Sequence, residues 1–340
     1  MKTTLVIAAL ALLVQLAAAP PILAQAAAAQ SAGRSAPSPL APSEIVAAAP
    51  AVDWRPIAAA DLLVMTLAPD AKGAARRVVI QLMPPPFSQG WVGNIRKLAA
   101  VHWWDGLSVN RVQDNYVAQW GDADGDDKAK ARALPSGLAV MPETEYSMVS
   151  GDLDPLVKAW IEHDTIGSPL PNHPGIVNDA YAGFSTDWKG WPVASDVAHV
   201  WPIHCYGMVG VGRNLSPDTG SGAELYTVIG HAPRHLDRNI ALVGRVIEGI
   251  EQLSSLPRGT GDLGFYKTAA ERTGVVSIRL ASELPVSEQP RFEYLSTESA
   301  SFARYADARA NRRDPFFIRP AGGADICNIP VPVRRVRVAG

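Results

Sequence analysis

Apolar and polar residues follow one another in short runs along most of the chain, each stopped by proline, glycine or aspartate. Residues 62–67 (LLVMTL) and 77–82 (RVVIQL) are aliphatic and β-branched stretches separated by Pro69, Asp70 and Gly73, the pattern of a β-hairpin. Pro84, Pro85 and Pro86 end it. The period then lengthens. Trp91, Ile95 and Leu98 recur at helical spacing, Arg96 and Lys97 fall off that face, and Ser88 is placed to cap the helix. Further strands are predicted over residues 107–112, 116–120, 207–212, 225–230, 241–246 and 275–280. Seven or eight short strands with two or three helices predict a mainly β fold, either a closed barrel or a sandwich.

Two regions break the pattern. Between Asp122 and Pro202 the chain is irregular and rich in Pro, Gly, Asn and Trp, which reads as an ordered insertion. It holds one helix candidate, with Asp154 as N-cap, Pro155 at the first position and Leu156, Val157, Trp160 and Ile161 on one side. Past Pro285, a second amphipathic helix is predicted over about 296–312, with Phe302, Tyr305 and Ala306 inward and Arg304, Arg309, Arg312 and Arg313 outward.

At the start of the chain, Lys2, an apolar run from Leu5 to Ala19, and Ala24-Gln25-Ala26 fit a secretory signal peptide over residues 1–26. The competing reading, a membrane anchor, is opposed by a run shorter than the ~20 residues a spanning helix needs. Residues 27–50 are almost all Ala, Ser, Pro, Gln and Gly, so they read as a flexible tether, with folding beginning near Val52. The barrel-like part then spans 51–285, with an insertion at about 123–201, and 286–340 is an extension packed on it. The expected location is the periplasm or the exterior.

Composition narrows the function. Hydrophobic residues make up 47% of 340, enough for a large core, while 28 Gly and 28 Pro argue against a helical bundle. Lys plus Arg (31) balances Asp plus Glu (33), a formal charge of -2 that lacks the positive field nucleic-acid binding requires. Cys205 and Cys327 are the only cysteines; in an exported chain they are expected to form a disulfide, two free buried thiols being the alternative. Asp122, Asp124 and Asp126 alternate as in a calcium loop, but the sixth position is Asp127 and the twelfth Ala133, so an acidic turn is the better reading. The seven His form no metal pattern, and Gly210-Val211-Gly212 and Gly220-Ser221-Gly222 extend into no phosphate-binding loop or nucleophile elbow. No metal and no cofactor are expected.

Two blocks in order are more specific. The first is W-D-G-L-S-V-N-R-V-Q-D-N-Y-V-A-Q-W-G-D over residues 104–122. The second runs from Gly207-Met208-Val209-Gly210-Val211-Gly212-Arg213 through Gly222-Ala223-Glu224-Leu225-Tyr226 and Leu236-Asp237 to Val243-Gly244-Arg245-Val246. Together with residues 78–82 and the helix bearing Asn94, they resemble the signature of cyclophilin-type peptidyl-prolyl cis-trans isomerases. The resemblance covers roughly residues 60–282 outside the insertion.

It implies a closed antiparallel eight-stranded barrel capped by two helices, with a proline-binding groove on its outer face. It further implies that Arg111 holds the carbonyl before proline and donates toward the prolyl nitrogen, and that Gln119 orients Arg111. Tyr116, Val117, Tyr226 and Leu236 map onto the proline pocket, and Gly212 onto the wall of the backbone groove. Departures fall at Asn110, Glu224, His235 and Ile240, where the family carries His, Gln, a large aromatic and His. Glu224 is expected to put negative charge beside the groove and to pair with Arg111 or Arg213, and these changes point to reduced or altered turnover. The partners implied are proline-containing polypeptides, the protein acting as a monomer. Two competitors stand: a barrel that grips proline segments without turnover, through its insertion or tail, and an unrelated small-molecule enzyme on a β-barrel.

Overall fold

In the computed structural model, the hairpin expected early in the chain forms, and its two strands are apolar on both faces for a structural reason. Strands β2 (Leu62–Leu67) and β3 (Arg76–Leu82) pair antiparallel from Leu62↔Gln81 to Leu67↔Arg76. Leu63, Met65, Leu67, Val78, Ile80 and Leu82 point into the main core, while Leu62, Val64 and Val79 belong to a second cluster with Ile57, Ala281 and Phe292. A strand covered on both sides has no reason to alternate. The structure describes residues 39–150 and 179–336.

Six more strands complete a closed barrel: β4 (Ser108–Val112), β5 (Val117–Gly121), β10 (Met208–Val211), β11 (Leu225–Val228), β12 (Leu242–Glu248) and β13 (Thr273–Leu280). Their order around the barrel is β10-β11-β5-β4-β13-β2-β3-β12, all antiparallel, so the ring closes and every strand has a neighbour on both sides. The barrel is the one expected. Helix α2 (Gln89–Ala100) packs on β12 and β13 and buries Trp91, Ile95 and Leu98 completely. Ser88 does not cap it as expected. Its φ of 56° turns the side chain away from the helix amides, and no side-chain bond forms there. The second helix on the barrel is a single turn, Glu251–Ser254, anchored by Leu253.

Two layers are added. The insertion contributes β6 (Met148–Val149), β7 (Phe184–Trp188), β8 (Trp191–Ser195) and β9 (His199–Pro202), a four-stranded sheet ordered β6-β9-β8-β7. Trp191, Val193, Val200 and Trp201 join the barrel core, so the insertion is part of the same hydrophobic unit. The helix expected from Asp154 lies outside the described residues, as does the segment 1–26. The second layer pairs β1 (Trp54–Ile57), β14 (Phe292–Leu295) and β15 (Val333–Arg335) into a three-stranded sheet.

This layer corrects the N-terminal tether. Helix α1 (Pro42–Ala47) lies within residues 27–50, and its Ile45, with Ala49, packs against Trp54, Leu295, Phe302, Tyr305, Ala306 and Ile329. One large apolar side chain in an alanine- and proline-rich stretch suffices because its partner surface is already built by the tail. The C-terminal helix is shorter than expected, Ala300–Ala310. Ser299 caps it by accepting from the Phe302 amide, and Phe302, Tyr305 and Ala306 are buried as their spacing predicts. Among the described residues, no helix is long and apolar enough to cross a membrane.

Cys205 and Cys327 are bonded, 122 residues apart, tying the tail to the turn between β9 and β10. Replacing both by serine is expected to cost about 2–4 kcal/mol by releasing a long closed loop in the unfolded chain. Guanidinium unfolding would register this as a lower midpoint, with a slope somewhat steeper than the parent's because the released chain exposes more surface. An unchanged midpoint would mean that the bridge does not restrain the unfolded state.

Candidate active site

The groove begins with an irregularity in the β4–β5 ladder. Val112 faces Ala118 and Arg111 faces Gln119, but Trp120 pairs with Val109, so Asn110 is an extra residue. Such a bulge shifts the side-chain alternation by one. Val109 and Val112 both stay in the core, and Arg111 is delivered to the outer face beside Gln119. On the next strand Tyr226 faces Gln119, and beyond it Gly210 faces Tyr226. One row of cross-strand neighbours therefore runs Gly210, Tyr226, Gln119, Arg111. Glycine at 210 is required there: a Cβ would lie 2.3 Å from the Tyr226 hydroxyl.

Around this row lies a groove of about 560 Å³ lined by Arg111, Gln119, Tyr116, Val117, Gly212, Glu224, Tyr226, Leu236 and Ile240, among others. Val117, Tyr226 and Val228 form a small apolar cluster of their own, with Tyr116, Leu236 and Ile240 packed against it. This apolar cluster within the groove suits a ring with no hydrogen-bond donor. His235 is the exception among the expected groove residues. It is exposed and outside the lining, and it contributes by stacking on Tyr116, with ring centroids 6.3 Å apart.

Arg111 is half-buried, and the cost of desolvating its charge lowers its pKa from the ordinary value. Its Nε donates to the Leu263 carbonyl at 2.7 Å, Nη1 donates to Gln119 Oε1 at 3.3 Å, and Nη2 donates to Gln113 Oε1. The guanidinium also lies 5.7 Å from the Tyr116 ring centre and 5.2 Å from that of Phe265. Three of its five N–H groups are thus occupied and two remain for a ligand.

Glu224 departs from the pairing expected of it. Its carboxylate accepts from Gln119 Nε2 and Asn110 Nδ2, both at 3.4 Å, and from the Asp122 amide, while Arg213 donates to the Asn239 and Asn214 carbonyls. The bulge explains this, because it leaves the Asn110 amide free to reach Glu224. Burial pushes Glu224 up to about 7, against the pull of those three donors and with help from the Asp122 charge. An ionised Glu224 accepts only, so Gln119 must present Nε2 to it and Oε1 to Arg111.

Three contributors escaped the sequence reading. Phe265 and Leu263 come from a glycine-rich turn with no periodicity. His204 was set aside for lack of a metal-like companion. Fully buried, it contacts Asp237 Oδ1 through Nδ1 at 2.8 Å and the Tyr226 hydroxyl through Nε2 at 2.9 Å. Arg234 pairs with Asp237 at 2.7 Å and with Asp179 at 2.8 Å, so the turn bearing Leu236 and the strand bearing Tyr226 are tied beneath the pocket. Asp122, from the calcium-like run, is engaged by the Asp124 and Arg132 amides.

An eight-stranded barrel carrying an outer groove with an Arg–Gln pair beside an apolar pocket is the architecture of a proline-directed isomerase. The family model for cyclophilin type peptidyl-prolyl cis-trans isomerases matches residues 77–278, and the chain belongs to that family. Among solved structures it is similar to the cyclophilin AquaCyp293 from Hirschia baltica, at 20% identity and a TM-score of 0.58 over 83% of this chain and 93% of that one. A cyclophilin-type isomerase from Cryptosporidium parvum matches at 11% identity and a TM-score of 0.37, over 65% of this chain and 96% of that one. No curated protein matches the sequence.

A buried acid with a raised pKa stabilises the fold fully below its unfolded value near 4.5 and loses that contribution as pH rises through about 7. For Glu224 the loss amounts to at most about 3 kcal/mol. Asp187, buried against Arg245 and also pushed up to about 7, adds a slope of its own. Glu224→Gln is expected to flatten unfolding free energy between pH 4.5 and 7 relative to the parent, leaving the Asp187 part. Over the same range, turnover of the parent should rise by about two- to tenfold, the worth of one hydrogen bond. A parent and a variant with parallel pH profiles would contradict the role given to Glu224.

Proposed function

We propose that this protein accelerates rotation about X-Pro bonds in exported polypeptides and so assists their folding, with Arg111 as the electrophile. The X-Pro bond resists rotation because amide resonance gives C–N partial double-bond character, a barrier of about 18–20 kcal/mol. Resonance is lost as the nitrogen lone pair localises. A donor that meets the localised pair, or that holds the flanking carbonyl out of plane, binds the twisted state better than either planar isomer.

The observation that carries the reading is the row on the outer face. Arg111, with two N–H groups unspent, stands one strand from Gln119 and two from Tyr226, the floor of an apolar pocket. A proline ring seated on Tyr226, Val117 and Leu236 would bring its preceding carbonyl and its nitrogen to the Arg111 side. The pocket excludes water from the reacting amide, and the guanidinium, already desolvated in part, needs little reorganisation. Gln119 holds the cation from one side while Glu224 holds Gln119. No nucleophile is required, because no covalent bond forms. Export is supported by the charged, apolar and small-residue pattern of residues 1–26 and by the Cys205–Cys327 bridge, which persists in oxidising compartments.

With protein lacking residues 1–26, the cis-to-trans relaxation of short X-Pro peptides should accelerate in proportion to enzyme. Arg111→Ala should lower kcat/KM by about 10²- to 10³-fold, the usual loss of a transition-state donor. Folded protein that leaves relaxation unchanged across several residues before proline would favour a proline-gripping module instead.

A further inference from the structure

Beyond Val109, strand β4 loses its β13 partner, since that pairing stops at Thr273↔Val109. The exposed edge is taken up by the segment 259–266. The Gly259 amide donates to the Val112 carbonyl, the Tyr266 amide to the Asn110 carbonyl, and Arg111 forms a bridge with Phe265. The cross-strand row of the groove therefore has a fifth member: Gly210, Tyr226, Gln119, Arg111, Phe265.

The segment is folded tightly on itself. The Gly261 amide donates to the Phe265 carbonyl, the Phe265 amide to the Asp262 carbonyl and the Tyr266 hydroxyl to the Pro257 carbonyl, and Leu263 sits at φ 54°. Gly264, at φ +81°, has no room for a Cβ, which would lie 2.7 Å from the Gln113 Cα. The product of this geometry is a carbonyl and a ring aimed at one cation. Leu263 O accepts the Arg111 Nε–H, and the Phe265 ring, itself 39% exposed, faces the guanidinium carbon at 5.2 Å opposite the support from Tyr116 and Gln119.

We propose that Phe265, with the Leu263 carbonyl, is a positioning element that fixes the plane of the Arg111 guanidinium so that its two free N–H groups face the groove. The inference rests on the isomerase reading of the same site. Without the segment, Arg111 would keep Gln113, Gln119 and the Tyr116 ring, but its Nε–H would lose its acceptor and the second ring would be gone. With it, the cation has two aromatic rings within about 6 Å and a backbone oxygen on its Nε–H, and it is ordered before substrate arrives.

Phe265 lines the groove but lies outside the Val117, Tyr226 and Leu236 cluster that would seat the proline ring. Acting on the transition state through Arg111, Phe265→Ala should lower kcat about 10-fold or more and leave KM within about twofold. Phe265→Tyr should restore kcat and Phe265→Leu should not, since only the former keeps the π face. Gly264→Ala, which must displace the segment, should reproduce the loss. The three Phe265 variants should unfold within a few degrees of the parent, because the Phe265 ring is exposed.

A second readout does not depend on turnover. The ¹⁵N-labelled Arg111 Nε–H resonance, identified by its absence in Arg111→Lys, should exchange slowly with water in the parent and rapidly in Phe265→Ala. An active parent whose kcat survives Phe265→Ala overturns the proposal, as does an Nε–H signal unchanged by that substitution. A parent with the protected signal and no turnover would leave the clamp standing and remove the isomerase reading.

Discussion

The site depends on one extra residue in one strand. If β4 ran without a bulge at Asn110, the alternation that turns Val112 into the core would also turn Asn110 inward opposite Trp120 and point Val109 out of the barrel. The bulge lets Val109 and Val112 both reach the core while Arg111 stands outside, in line with Gln119 and Tyr226. It also frees the Asn110 amide to hold Glu224. The ring stays closed around this bulge although the β10–β12, β12–β3 and β13–β2 ladders also shift register.

Around this point the molecule is layered so that the groove has rigid walls. The core fills the barrel and extends into the insertion sheet, and the outer faces of β2 and β3 are covered by the sheet built from both ends of the described chain. Under the pocket, Asp179, Arg234, Asp237 and His204 link the insertion to the Leu236 turn and to Tyr226. The bridge at Cys205 fixes the residue next to His204 to the tail. Each carboxylate oxygen of Asp237 has a donor, while Arg234 keeps one buried nitrogen, Nη1, without an acceptor. Stiffness in the floor is what a catalyst needs when its transition state differs from its ground state only by the twist of one bond.

The barrel was legible because its strands carry long apolar runs and its motif residues are local: Arg111, Tyr116 and Gln119 lie within nine positions, and Glu224 and Tyr226 within three. The tail helix was legible from the spacing of Phe302, Tyr305 and Ala306. Features that depend on partners distant in sequence were not. Helix α1 offers one Ile among Ala and Pro, and its burial is decided by a surface some 250 residues later. Phe265 sits in a turn whose glycines signal only a change of direction, and what it touches is set by where β13 stops pairing. The partner of Glu224 was misjudged for the same reason, since charge suggested an arginine while the register supplied amides.

The central claim, that the outer row around Arg111 is where a proline bond is twisted, is tested most directly by a crystal structure with a short X-Pro peptide bound. The account predicts the proline ring on Tyr226, Val117 and Leu236, with the preceding carbonyl within hydrogen-bond distance of an Arg111 Nη. A peptide seated instead between the Asp122–Arg132 turn and Asn214, with Arg111 untouched, would contradict it.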